Sequence, residues 1–172
     1  MGVAGAQIDR IAKNAGIARG TFYFHFPAKD DVILELAQRI NARIVQRVRA
    51  IAETKPSLPD LLLRLNDALI EEHARVSDAG LGNDVLALFM RRPEDIRDAS
   101  HPVPPLTEEL GRQLHAIAEG GDLRSGMPPE ELAVLILSSL FGVLARVPAG
   151  EPVRRVSADL VGILARGLES NG

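Results

Sequence analysis

The stretch that decides the fold is residues 16–31, which read GIARGTFYFHFPAKDD. Gly16 is the residue type that most readily adopts the left-handed conformation that ends a helix. A short helix is predicted to begin near Ala18 and to end before Pro27, because proline cannot continue a helix and disfavours helical geometry at Phe26. Two short helices joined by a glycine-containing turn form the motif that places a recognition helix in the DNA major groove.

The helix before this turn is predicted from the apolar spacing upstream. Ile8, Ile11, Ala12 and Ala15 follow one another at i, i+3, i+4 and i+7, which is one face of a short helix. The two segments together therefore indicate a helix-turn-helix.

The run IAKNAGIARGTFYFHFPAKDD, residues 11–31, resembles the DNA-binding signature of TetR-type transcriptional regulators. The close resemblance spans roughly residues 6–36. It implies an all-α fold with a helix-turn-helix region at residues 1–36 and a helical effector-binding and dimerisation bundle at residues 37–172. It also implies a homodimeric repressor that binds a palindromic double-stranded operator and is released from it by a small molecule.

Members of this family carry a complete helix before the motif, and its apolar face supports the recognition helix. Residues 1–7, MGVAGAQ, resemble only the end of the loop that follows such a helix. The helix-turn-helix is therefore expected to be incomplete. The alternative function is an effector-binding and dimerisation protein whose truncated helix-turn-helix binds DNA poorly.

Tyr23 and Lys29 match the family positions that contact the DNA backbone. A phenol hydroxyl and an ammonium group at one edge of a recognition helix suit phosphate oxygens. A lysine at a helix N-terminus lies at the unfavourable end of the helix dipole, which favours a functional reason for Lys29. His25 matches the family's His-Phe pair, where a phosphate contact and a helix-ending hydrogen bond both remain open.

Arg19, Gly20 and Thr21 are expected on the exposed side of the recognition helix. Arginine is the residue best shaped to bind guanine with two hydrogen bonds, but phosphate contact and simple solvation remain open for Arg19. Thr21 suits a phosphate or a base edge. Gly20 lowers helix stability by up to about 1 kcal/mol relative to alanine, and close approach of the backbone to DNA would explain it.

Phenylalanine occupies every second position from residue 22 to residue 26, in and at the end of the same predicted helix. Phe22 and Phe26 are expected to anchor the motif in its own small core. For Phe24, contact with thymine methyl groups and packing against the body of the protein are equally open. Ala18 and Ala28 occupy positions where the family commonly has a capping serine, and alanine there typically loses about 1 kcal/mol per cap.

The net charge of −3 conceals an asymmetry along the chain. Residues 1–55 hold nine Lys/Arg and five Asp/Glu, whereas residues 56–172 hold eleven and eighteen. A basic N-terminal part on an acidic body suits a protein that presents one end to phosphate. Chance clustering of solvated charges is the alternative explanation.

The rest of the chain shows only helical periodicity, so an all-α fold is predicted. A long amphipathic helix begins at Lys29 and ends near Glu53, with aspartates in its first turn where they complement the dipole. It would link the DNA-binding end to the body. Further helices are predicted at 58–76, 85–91, 106–119, 129–146 and 153–168, with a proline-rich loop at 92–105.

The last two predicted helices are the most apolar, and the first of them is apolar on nearly every side. Such a helix is buried all round, and its apolar run is too short to span a bilayer. We therefore expect a homodimer through residues 129–168, with Leu137 and Leu164 on the seam. In the family these two helices form a four-helix bundle with their symmetry mates.

No residue constellation for catalysis or cofactor binding is present in the sequence, so neither enzyme activity nor a cofactor is expected. His73, His101 and His115 lack a histidine partner at i+3 or i+4, so no metal site is expected either. The absence of cysteine fits a reducing cytosol, and no signal peptide is visible, so a cytoplasmic protein without a membrane segment is expected.

Candidate lining residues of an effector cavity are Arg64, Asn66, His73, Met90, His115 and Phe141, each of them more readily explained as structural.

Overall fold

A computed structural model describes residues 13, 16–77, 81–91, 96, 103–121, 123 and 126–168, with the backbone alone for Arg19. These residues contain seven α-helices and no β-strand, so the predicted all-α fold is confirmed. The helices are α1 (Arg19–His25), α2 (Lys29–Glu53), α3 (Leu58–Ser77), α4 (Gly82–Arg91), α5 (Leu106–Glu119), α6 (Pro129–Arg146) and α7 (Glu151–Leu168).

The turn before α1 has the predicted geometry. Gly16 has a φ of +67°, and its amide donates a hydrogen bond to the Lys13 carbonyl at 3.1 Å. Helix α1 ends at His25, just before Pro27, as expected. The predicted helix over residues 8–15 lies outside the described residues except for Lys13, which is helical.

The start of α2 is stabilised without a side chain at the capping position. Ala28 cannot cap the helix, but its amide donates a hydrogen bond to the carboxylate of Asp31 at 2.8 Å. Asp30 and Asp31 also place negative charge in the first turn, where it complements the dipole. The acidic first turn therefore offsets part of the loss expected from alanine at the cap.

Helices α2 to α7 pack around one continuous core. The long helix α2 contacts α3, α4 and α5, while α6 packs against α5 and α7. Since the chain has no tryptophan and few aromatics, leucine, isoleucine and valine supply nearly all of this core, with Phe89 and Phe141 in contact at 5.5 Å between ring centroids. A separate small cluster around Phe22 holds α1 to the start of α2.

The predicted loop at 92–105 falls largely outside the described residues. Residues 103–105 are non-helical and lead directly into α5. Asn41 of α2 joins this entry: its side-chain amide donates a hydrogen bond to the Pro104 carbonyl, and its Oδ1 accepts one from the Leu106 amide, both at 2.9 Å. The buried asparagine thus satisfies one of the free amides at the start of α5.

Candidate nucleic-acid interface and effector cavity

Helix α1 is anchored through one face. Phe22 is 6% exposed, and its ring lies 5.3 Å from that of Phe26, with Val32 of α2 packed against the pair. Tyr23 is half-buried and meets the edge of Phe22 at 6.0 Å between centroids. The expected anchoring role of Phe22 and Phe26 is therefore confirmed.

The opposite face of α1 is open to solvent and carries Gly20, Thr21, Phe24 and His25. Phe24 is 81% exposed, so packing against the body, one of its two predicted environments, is wrong. Its ring meets only the edge of the His25 ring among the aromatic contacts of the described residues, at 5.4 Å. Helix α1 thus presents an outward surface with one large apolar side chain on it.

Gly20 is not required by the packing of the described residues. Outside its chain neighbours and the backbone of its own helix, a methyl group added there would meet no described atom within 4 Å, and the φ of Gly20 does not lie in the left-handed region. The fold would therefore accept alanine, which favours helix by up to about 1 kcal/mol. Arg19 begins α1, and of this residue only the backbone is described.

Lys29 has a partner that sequence reasoning missed. Its Nζ lies 2.6 Å from Oδ2 of Asp84, a residue in the first turn of α4. The two residues are 55 positions apart, so no local pattern indicates the pair. The ion pair joins the beginning of α2, next to α1, to a helix of the body.

The rest of α2 is tied to the body by further charged contacts. Arg43 donates hydrogen bonds to both carboxylate oxygens of Glu72, which is buried on α3, with a shortest distance of 2.6 Å. Arg49 donates to Glu109 at 2.9 Å, and this carboxylate of α5 is 1% exposed. Charge-assisted hydrogen bonds of this kind are strong, so α2 is held as a rod against both α3 and α5.

A small cavity of about 20 Å³ lies between α2, α3, α4 and α6. Apolar side chains form most of its wall, and Glu72 and His73 are the polar residues in it. Burial lowers the pKa of His73 below its ordinary value, so the imidazole is neutral near pH 7. Its Nε2 lies 3.2 Å from the Ser77 hydroxyl, and its Nδ1 is buried and lacks a hydrogen-bond partner in the described part of the chain.

Two of the six residues considered for cavity lining, His73 and Phe141, are in this wall. Asn66 instead binds the Ser157 hydroxyl at 3.1 Å and joins α3 to α7, and Arg64 lies at the surface near Asp60. Met90 and His115 are exposed. Helix α4, from which only Met90 was considered for the lining, supplies Val85, Leu86 and Phe89 to the wall.

Each of the two C-terminal helices has buried apolar residues and exposed ones. Leu137 is 2% exposed and belongs to the core of its own chain, so its predicted place on a dimer seam is wrong. The exposed apolar residues are Val134 and Leu135 on α6 and Ile163 on α7. Since α6 packs on α5 and α7 through its buried residues, the surface with Val134 and Leu135 stays exposed in the described part of the chain.

Groups of three His, Asp or Glu side chains suited to a metal ion do not occur among the described residues. His115 pairs with Glu119 at 3.4 Å on the surface, and His101 lies outside the described part. Within that part, no helix is both long and apolar enough to cross a membrane.

Residues 1–36 match the family model described as bacterial regulatory proteins, tetR family. The HTH-type transcriptional regulator EthR of Mycobacterium tuberculosis is 41% identical over 51 residues, which are 30% of this chain and 24% of that protein. The match thus spans about a quarter of the length of EthR. The HTH-type transcriptional regulator UidR of Escherichia coli is 22% identical over 161 residues, covering 91% of this chain and 78% of UidR.

Solved structures share the whole fold. The ketosteroid transcriptional regulator KstR2 of Mycobacterium tuberculosis has a TM-score of 0.64 at 18% identity, covering 95% of this chain and 85% of that one. FadR of Thermus thermophilus, described as a TetR family transcriptional repressor in complex with lauroyl-CoA, has a TM-score of 0.60 at 26% identity, covering 91% and 79%. The similarity therefore extends from the helix-turn-helix through the helical body.

Proposed function

We propose that the chain is a TetR-type regulator and that it acts as a homodimeric, ligand-responsive repressor that binds a palindromic operator. The observation that carries this proposal is the outward face of α1, which is anchored from behind by Phe22 and Phe26 and lies in the matched helix-turn-helix. One recognition helix per half-site would enter successive major grooves, about 34 Å apart. Arg19 and Thr21 would meet base edges or phosphates, and Tyr23, His25 and Lys29 the backbone.

The apolar outward face of α6 and α7 supports the dimer. Val134 is 52% and Ile163 60% exposed, they lie on two helices that pack against each other, and a dimer interface there would bury both. A two-fold axis through this face would pair each helix with its copy and form a four-helix bundle. The dimer would then set the separation of the two α1 helices.

Variants of Arg19 and Lys29 are expected to separate base reading from phosphate binding. Lys29→Ala and Tyr23→Phe should weaken binding to all duplexes alike, and Lys29→Ala should reduce the salt slope by about 0.9 for each phosphate that the lysine neutralises. Arg19→Ala should instead relax discrimination at one base pair per half-site, worth about 1–3 kcal/mol. The measurement is fluorescence anisotropy on an operator selected in vitro and on its single-base variants, over a salt series.

Two results would contradict this assignment. An equal loss of affinity at every base position for Arg19→Ala would refute its reading role. Failure of the unaltered chain to select any sequence would favour the alternative function, an effector-binding and dimerisation protein with impaired DNA binding.

Helix α4 provides a route from the cavity to the DNA-binding end. Its Val85, Leu86 and Phe89 form one wall of the cavity, and its Asp84 holds Lys29. The cavity has room for about one water molecule, so a larger effector must displace a wall to enter. A displaced α4 would shift Lys29 and the beginning of α2, and with them the separation of the two recognition helices.

The effector is proposed to be a small, largely apolar molecule, since the cavity wall is mostly apolar. It should lower operator affinity, and a tenfold reduction requires that operator DNA weaken effector binding tenfold, a coupling of about 1.4 kcal/mol. Asp84→Asn should reduce this coupling because it removes the link between α4 and Lys29. Asp60→Asn is the matched control, since it removes the same charge from an exposed ion pair with Arg64 on α3.

Titration calorimetry of the effector with and without operator measures both directions of the coupling. An effector that binds tightly but leaves operator affinity unchanged does not distinguish the two states of the dimer, and the mechanism would then be wrong for that ligand. Equal coupling in the Asp84 and Asp60 variants would contradict the role of the ion pair.

A further inference from the structure

Packing among the described residues does not explain why Phe24 is exposed. The two other phenylalanines of this segment, Phe22 and Phe26, pack on each other and on α2, whereas Phe24 leaves 81% of its surface in water. Exposure of so large an apolar side chain is unfavourable, and on the outward face of a recognition helix it indicates contact with the groove.

Gly20 lies one helical turn before Phe24, and residues at i and i+4 share a face of a helix. Outside the backbone of its own helix and its two chain neighbours, a methyl group at Gly20 would meet no atom of the described residues within 4 Å, so the surface of α1 one turn before Phe24 is open. A small group of DNA can therefore approach the helix backbone at Gly20 and the Phe24 ring at the same time.

The chemistry of the major groove identifies this group. Base edges there present hydrogen-bond donors and acceptors and one apolar group, the C5 methyl of thymine. A phenylalanine side chain has no hydrogen-bonding group for a base edge or a phosphate, unlike its exposed neighbours Thr21 and His25. The methyl of thymine is thus the complementary partner for the Phe24 ring.

We infer that Gly20 and Phe24 form a slot that reads a thymine methyl group in each half-site, an inference that rests on the proposed DNA-binding function. The ring supplies the apolar contact, and the glycine supplies the room for the methyl group. Specificity at this base pair then comes from burial of a methyl group, without a hydrogen bond.

Replacement of single thymines by deoxyuridine tests the slot, because it removes the methyl group and keeps every base pair. The full chain is bound to its selected operator, and deoxyuridine replaces the contacted thymine in one half-site or in both. Affinity is expected to fall about fourfold when one half-site is changed and about fifteenfold when both are changed. With Phe24→Ala, the operator should bind more weakly, and the same replacement should have no further effect. Phe24→Leu should retain part of the difference because leucine is also apolar.

Met90→Ala is the matched control, since Met90 is also an exposed apolar residue but lies on α4. It should show the full deoxyuridine effect, and circular dichroism confirms that each variant is folded. A deoxyuridine effect that persists undiminished in Phe24→Ala, or an unaltered chain that selects an operator but is insensitive to every replacement, would overturn this inference while leaving the proposed function intact. A chain that selects no operator would overturn both.

Discussion

Val134→Glu is expected to convert the dimer into monomers and to lower operator affinity by at least about a hundredfold. Val134 is half-exposed on the outward face of α6, where the proposed two-fold axis pairs the helix with its copy. A glutamate there would bury its charge against apolar side chains, and its symmetry mate would place a second negative charge nearby.

The reduced affinity has a separate cause, which is that the two recognition helices are no longer linked. In a dimer the second half-site binds at a high effective concentration, and this advantage commonly exceeds a hundredfold. A monomer retains only the contacts of one half-site. The mass should be measured by light scattering at micromolar concentration and operator affinity by anisotropy.

Leu63→Glu is the matched control. Leu63 is also an exposed apolar side chain, but it lies on α3, which is not one of the two helices of the proposed interface. It should leave the mass and operator affinity unchanged. A dimeric Val134→Glu variant would contradict the proposed interface, whereas monomers of the unaltered chain at the same concentration would contradict the dimer itself.

Glu109→Ala is expected to lower the free energy of unfolding by about 2–4 kcal/mol. The buried Glu109 carboxylate accepts hydrogen bonds from Arg49 at 2.9 Å, Arg112 at 2.6 Å and Gln113 at 2.8 Å. Alanine removes all of these acceptors and leaves a gap beside α2. Both arginines are about half-exposed and can turn to water, which keeps the destabilisation below that of a fully buried pair.

Glu71→Ala provides the comparison, because it removes an exposed carboxylate that also binds an arginine of α2. Glu71 binds Arg47 at 2.7 Å, but both side chains are exposed, so its removal should change stability by no more than about 1 kcal/mol. Urea unfolding of both variants at one protein concentration measures the difference. Equal effects of the two substitutions would show that burial of Glu109 contributes nothing to the anchoring of α2.

Local signals in the sequence were sufficient for most helix boundaries, although α4 begins at Gly82, three residues before its predicted start. Glycine and proline marked the ends of α1, and the predicted limits of α2, α5 and α6 agree with Lys29–Glu53, Leu106–Glu119 and Pro129–Arg146. The assignment of Phe22 and Phe26 as anchors also followed from their place in the motif. These features depend on neighbours within four residues, and a sequence displays such neighbours directly.

Which face of each helix meets which partner was decided by the tertiary structure. Leu137 and Val134 are alike in an apolar helix, and only the packing of α6 on α5 and α7 turns Leu137 inward and leaves Val134 for a second chain. The burial of Glu109 and the ion pair between Lys29 and Asp84 depend on chain segments tens of residues apart. Such contacts are set by the three-dimensional arrangement of whole helices, so the periodicity of any one helix cannot reveal them, although it determines the helix itself.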